Sequence, residues 1–177
     1  ARFTSMLQGQ RDLATVGQLL LSELVPLVNG HQGVIYQMES EASTRLRLLS
    51  SYADDNSTLL PTYSVGEGLI GQCALDKQRM LISMPEEAPP ISSALFTANP
   101  RNVVVLPVLF ESQVKAVLEI ASLSQFTELQ LAFLEQLTAS IGIVLNSIEA
   151  TMQTEGLLEQ SQKLASELQT QQGELQQ

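Results

Sequence analysis

The chain has 177 residues, a mass of 19.3 kDa and a formal net charge of -10 from 9 basic and 19 acidic side chains. A chain of this length buries roughly 70% of its unfolded surface, and a hydrophobic fraction of 44% places it outside the disordered class. The acidic balance excludes a binder of nucleic-acid backbones, one cysteine excludes an internal disulfide, and one cysteine with one histidine excludes a zinc site of the usual ligand set.

Apolar residues at Phe3, Met6, Leu7, Leu13, Val16, Leu20, Leu24, Leu27 and Val28 recur at threes and fours, the period of a helix. Pro26 lies near its end, and Gly30 is expected to take the left-handed conformation that stops it. Two strand-like runs follow, 32–39 and 44–53, joined by a hairpin connection at 40–43. Asp54, Asp55 and Asn56 mark a turn. Gly66-Glu67-Gly68-Leu69-Ile70-Gly71 opens a short helix that ends near Lys77, and 79–84 reads as a short strand. The segment 85–100 carries four prolines and reads as a long loop with one helical turn around 93–96. The runs 102–110 and 114–122 form the clearest hairpin. Thr127 with Gln130 three residues on is a capping box for a final helix, whose apolar face includes Leu131, Leu134, Leu137, Ile141, Val144, Leu145 and Ile148.

Beyond Thr151 there is no aromatic residue, and eight of the last 27 residues are Gln, too little apolar surface for a core. Leu157, Ser161, Leu164, Leu168, Gln171 and Leu175 nevertheless keep the four-and-three spacing of a two-helix seam. A helix over 127–177 would run roughly 75 Å at 1.5 Å per residue. A rod of that length is expected to pair with a second copy, Leu145, Ile148, Leu157, Leu164, Leu168 and Leu175 facing the partner. The competing expectation is a frayed tail. The domain plan is an incoming linker helix over 1–12, a globular domain over 13–150 and a helical extension over 151–177.

Gly66-x-Gly68-x-x-Gly71 fits the letters of a dinucleotide fingerprint, but the preceding segment contains Pro61 and is mostly polar, so a helix-opening turn is favoured. His31 has no evident catalytic partner and reads as an exposed loop residue. Cys73 reads as a small buried hydrophobe. Lys115 and Glu119 alternate with Val114, Ala116, Leu118 and Ile120, which sets the charged pair together on the opposite face; Glu119 then looks either into a cavity, towards Arg101 or a ligand amine, or onto a wet surface. Tyr36, Tyr52, Tyr63 and Phe96 suit either a small-molecule pocket or the core. The candidate pocket comprises Tyr36, Tyr63, Cys73, Ser83, Phe96, Arg101 and Glu119. No catalytic residue, no metal ligand and no cofactor is assigned.

The order of elements, with the strings Gly66 to Gln72, Leu106-Pro107-Val108 and Val117-Leu118-Glu119-Ile120-Ala121-Ser122 ahead of Phe126-Thr127, resembles a GAF domain over about Leu13 to Ile148. The resemblance implies an α+β fold: a central, mostly antiparallel sheet of five or six strands, the N- and C-terminal helices on one face, short helices and loops on the other. Arg2-Phe3-Thr4 and Leu7-Gln8-Gly9 look like the exit of a HAMP linker, and Leu157-Leu158-Glu159-Gln160-Ser161-Gln162 looks like the signalling helix ahead of a histidine kinase core. The expected function is therefore a sensor and dimerisation module of a bacterial, hybrid-type sensor histidine kinase. It would relay a small-molecule or domain-domain signal through a parallel helical homodimer, made by the N- and C-terminal helices, to a kinase core in the same polypeptide. The alternatives are a ligand-free structural relay and, further off, a small-molecule-modifying enzyme. The Asn-Lys-Phe-Asp-Glu pattern of cyclic-nucleotide GAF domains and the cysteines of GAF-type methionine sulfoxide reductases are absent, so no ligand is inherited. Residue 1 is Ala with no signal-peptide pattern, and no apolar run approaches about 20 residues. The chain is therefore expected to be a cytoplasmic piece of a longer protein, without membrane contact of its own, from a parent anchored, if at all, through upstream segments.

Overall fold

The computed structural model describes residues 12–54 and 59–175. The first helix, α1 (Leu13–Leu27), begins where Asp12 turns extended and its carboxylate accepts the amide of Ala14 at 3.1 Å and the hydroxyl of Thr15 at 2.8 Å. The Thr15 bond, and then the Ala14 bond, hold the Asp12 carboxyl below its ordinary pKa. The cap places the start of this helix at Leu13; the expected linker helix before Asp12 lies outside the described residues. At the other end Asn29, not Gly30, is left-handed, with φ 58°. Gly30 N–H bonds to the Val25 carbonyl at 2.8 Å and Asn29 N–H to that of Pro26 at 3.1 Å, a Schellman closure.

The strands are β1 (Gln32–Met38), β2 (Arg45–Tyr52), β3 (Thr62–Ser64), β4 (Met80–Ser83), β5 (Ile91–Ser92), β6 (Thr97–Ala98), β7 (Asn102–Phe110) and β8 (Gln113–Ser122); α2 (Gly68–Asp76) follows β3 and α3 (Glu128–Leu175) closes the chain. Six strands form one antiparallel sheet in the order β3-β2-β1-β8-β7-β4. Strand β3, not assigned from the sequence, pairs antiparallel with β2 at the sheet edge, just after Pro61, and is not the buried parallel strand that a dinucleotide fingerprint requires. The turn expected at Asp54 to Asn56 lies, beyond Asp54, outside the described residues. The helical turn expected at 93–96 is instead the tip of the small β5–β6 hairpin, closed by Ser93 N–H to Phe96 O at 2.8 Å.

Alternation along the long strands makes two cores. Ile35, Val104, Leu106, Val108, Ala116, Leu118 and Ile120 pack against α1 and α3, while Tyr36, Val103, Val105 and Val117 pack with Leu46 against Ile70, Cys73 and Ala74 of α2. The helix α2 opens on the glycine turn. Gly66 and Gly68 have positive φ, and a Cβ on Gly71 would collide with the Ser64 carbonyl. Glu67 turns its carboxylate back onto Ser64 N–H at 2.8 Å. The turn is spent on starting this helix against β3, as the sequence context indicates.

The alternation breaks once, at Lys115. Val108 pairs with Ala116 and Leu109 with Val114, so Lys115 is an extra, bulged residue. Val114 moves to the α2 face and the Lys115 side chain turns towards α3. Lys115 and Glu119 therefore do not share a face, contrary to the period-two reading.

The capping box of α3 forms in both directions: Gln130 N–H to Thr127 Oγ1 at 3.1 Å and Thr127 N–H to Gln130 Oε1 at 2.9 Å. The helix runs 48 residues, about 72 Å. Leu131, Leu134, Thr138, Ile141, Leu145 and Ile148 cover the sheet. Gly142 lets α3 touch the β7 backbone, since a Cβ there would overlap the Leu109 carbonyl. Leu145 and Ile148 are thus buried against the sheet of the same chain and are not available for the seam expected of them. One 18-residue window of α3, with mean hydropathy 1.4, is apolar and long enough to cross a membrane by composition alone, against the expectation from run length. Within that stretch Leu131, Leu134, Ile141, Val144, Leu145 and Ile148 pack on the sheet, while Phe133 and Ile143 are exposed.

Candidate functional site

Among the described residues, two places that combine polar groups with space stand out. The first is the α2 face of the sheet. Tyr36 and Tyr63 meet edge to face with ring centroids 5.1 Å apart, and the Tyr36 hydroxyl donates to Leu60 O at 2.7 Å. Burial pushes the Tyr36 phenol up to about 12, with Tyr63 and Glu119 adding to the effect. Burial followed by Glu119 also raises Tyr63. Glu119, on β8 opposite Val34 and Val105, lines a cavity of about 90 Å³ with Gly33, Tyr52 and Asp54. That is well below the roughly 300–1,000 Å³ of ordinary ligand pockets.

Burial raises the Glu119 carboxyl above its ordinary value of 4.5. A raised acid binds its proton more tightly in the folded state. Its stabilising contribution is therefore complete below the unfolded pKa and is lost as pH rises through the folded one. Glu119→Gln should stabilise the domain at pH 8 and lose most of that gain at pH 4. Urea midpoints at the two pH values check this, and an equal gain at both would contradict it.

The second place lies at the opposite end of the sheet, where α3 leaves it. A groove of about 530 Å³ opens between the β1–β2 hairpin, the start of β8, the end of α2 and the α3 segment from Asn146 to Gln153. At its wall the bulged Lys115, whose side chain is only 5% exposed, reaches Glu149 at 3.3 Å and Glu41 at 3.6 Å. Gln37 Nε2 donates to the other Glu149 oxygen at 3.2 Å. Lys77, the left-handed residue that ends α2, donates to Ser112 O at 2.7 Å on the same rim.

Of the candidate pocket residues, the fold brings Tyr36, Tyr63, Cys73 and Glu119 to the α2 face. Ser83 on edge strand β4, Phe96 at the β5–β6 tip and Arg101 are exposed and line neither cavity. Arg101 therefore offers Glu119 no charge. Cys73 is fully buried, its Sγ 3.4 Å from Gln78 O, and burial pushes its thiol up to about 12, which suppresses the reactive thiolate. His31 is half-buried rather than exposed: its Nδ1 accepts the Leu123 amide at 3.2 Å. Sequence reasoning missed the groove, because its key residue is placed by a bulge that no period announces. The one available signal was a lysine in an otherwise apolar strand.

The GAF domain profile matches residues 10–146. Solved structures share the fold at low identity. The GAF domain of an Acinetobacter phosphoenolpyruvate-protein phosphotransferase is 17% identical, with TM-score 0.65, over 84% of this chain and 91% of that one. A methyl-accepting chemotaxis protein fragment is 14% identical, with TM-score 0.65, over 84% and 98%. The GAF domain of a two-component sensor histidine kinase from Bacillus halodurans is 20% identical, with TM-score 0.62, over 80% and 99%. No curated protein matches the chain. With the family's profile covering the globular part from α1 to the middle of α3, the chain belongs to the GAF domain family.

Proposed function

We propose that this chain is the sensor and dimerisation module of a histidine kinase, pairing with a second copy along α3 and passing the state of the domain to a kinase core further along the same polypeptide. The observation that carries this reading is an apolar stripe on the outer side of α3. Leu129, Phe133, Ile143, Leu157, Leu164, Leu168 and Leu175 are all exposed, and all fall on one four-and-three repeat that runs for more than six heptads. The stripe begins over the globular domain, opposite the residues that bury on the sheet, and resumes at Leu157 along the rod, after Ser147, Ala150 and Thr154 at the intervening repeat positions. A strict seven-residue repeat drifts about 20° per heptad on a straight helix, so two such stripes stay in contact only by winding left-handed around each other. The seam assigned to Leu145 and Ile148 is thereby moved to Leu129, Phe133 and Ile143, and its distal half stays as expected.

One seam spanning both domain and rod makes the rod's position sensitive to the sheet beneath it. A shift can carry only the free energy by which the input distinguishes the two states. The kinase context rests on the helical strings of the extension and on the Bacillus halodurans neighbour, whose GAF domain belongs to such a kinase. A ligand-free relay is favoured by one observation, the smallness of the cavity beside Glu119.

Sedimentation equilibrium of the whole chain against residues 1–150 tests the pairing. The whole chain should be a dimer at micromolar concentration, and loss of 151–177 should weaken association by at least tenfold. An equally tight dimer from the shorter chain would overturn the role given to the rod.

A further inference from the structure

We infer that the groove beside Lys115 is a binding site for a small zwitterion of the α-amino acid class with an aliphatic side chain. This deepens the sensor reading and rests on it for its regulatory meaning, though not for the binding itself. The groove holds about 530 Å³, inside the range of small-molecule pockets and several times the space beside Glu119. Its polar wall carries charges of both signs within one ligand's length. Lys115 is nearly buried, Glu149 is three-quarters buried, and Glu41 on the hairpin tip is 69% exposed. Met38, Val65, Leu75 and Val114 supply apolar lining.

The lining sets the chemistry. A simple anion drawn to Lys77 and Lys115 would also meet Glu39, Glu41 and Glu149, and the net charge of -10 repels it from afar. A simple cation would meet the Lys115 ammonium at close range. A zwitterion satisfies both. Its carboxylate takes the place of the exposed Glu41, the longer of the two Lys115 contacts, and its ammonium pairs with the freed Glu41, beside Glu39, which is itself 3.8 Å from Arg47. The side chain then lies on the apolar lining. Glu149 keeps Lys115 and Gln37, so the buried pair need not break. Asn146, Glu149 and Gln153 belong to α3 on either side of Ala150, while Gln37, Glu41 and Lys115 belong to the domain. An occupant therefore touches both bodies whose relative position the module would report.

The test is a nitrogen-15 NMR titration of the full 177-residue chain with L-leucine, 4-methylpentanoate and 3-methylbutylamine. The last two each keep the aliphatic tail and lack one charge. L-leucine should shift the amides of Gln37, Glu41, Lys115 and Glu149, and each half-molecule should bind at least tenfold more weakly, since each forgoes a charge-assisted pair. Lys115→Met should weaken L-leucine at least tenfold, and Glu41→Gln, an exposed change that leaves the fold intact, should weaken it severalfold. No shift at these amides up to 20 mM L-leucine overturns the inference. So does equal binding by 4-methylpentanoate, unchanged affinity in both variants, or shifts confined to residues around Glu119. The sensor reading is scored separately, by hydrogen exchange in α3 beyond Ala150. If L-leucine binds as stated and that protection does not change, the site stands and the relay fails. If L-leucine does not bind while the rod still dimerises the chain, the site fails and the relay stands.

Discussion

Gly142→Ala is expected to destabilise the domain by about 2–3 kcal/mol, although Ala is the better helix former by about 1 kcal/mol. The reason is geometric. Gly142 lies where α3 crosses β7, and an added Cβ would overlap the Leu109 carbonyl oxygen. Neither side can yield cheaply: Leu109 is fixed by its pairing with Val114 across the β8 bulge, and α3 is fixed by Ile141 and Leu145 on either side. The helix must lift, and the contacts of Ile141, Val144 and Leu145 with the sheet loosen together. Gly156 on the same helix provides the control, since nothing lies within 4 Å of a Cβ there. Gly156→Ala should leave the domain's urea midpoint unchanged or raised and increase helicity by circular dichroism. The same substitution, fourteen residues apart on one helix, thus gives opposite signs. A Gly142→Ala protein as stable as the parent would show that α3 does not rest on β7 as described.

The second large effect is an asymmetry at the Lys115 pair. Glu149→Leu removes the better-placed partner of a lysine whose side chain is 5% exposed, leaving it only the solvent-facing Glu41 at 3.6 Å. Stranding one member of a buried pair costs on the order of 3–5 kcal/mol. The partial exposure of Glu149 and the remaining Glu41 place this case nearer about 2–3 kcal/mol. Lys115→Met should change stability by less than about 1 kcal/mol, because Glu149 is 26% exposed and keeps Gln37 as a donor. The double variant, with both charges replaced by apolar groups, should recover most of the loss, giving a coupling of about 2 kcal/mol in a double-mutant cycle. Additive losses would show that the two side chains do not interact.

How much of this was legible in the sequence depends on how local its cause is. The α3 capping box, the glycine turn into α2 and the β7–β8 hairpin were readable because each is set by residues within a few positions of one another. Alternation sets Glu119 opposite Ala116, Leu118 and Ile120, and the tyrosines join it through their amphipathic chemistry rather than through any period. Lys115 was not legible, because a bulge adds one residue and reverses every side chain before it. Its cause lies in the paired strand, not in the period. Leu145 and Ile148 were assigned to the partner seam for a related reason. On α3 two stripes of equal spacing lie side by side, and only the position of the sheet tells which of them is covered. Ser83, Phe96 and Arg101 lie in or beside the proline-rich segment, which spends its residues on the β5–β6 hairpin rather than on an open loop and leaves Phe96 outward.

The claim on which the account turns is that two copies lie parallel along the outer stripe of α3. Leu164 sits at the centre of the rod's half of that stripe and is 59% exposed in one protomer. A single Leu164→Cys change under mild oxidation tests it, because the native Cys73 is buried and its thiol suppressed. The account expects a disulfide between the two residues 164 in most of the protein, with Ser166→Cys, off the stripe, giving little. A chain that stays monomeric on oxidation, or that cross-links as readily through 166 as through 164, would contradict it.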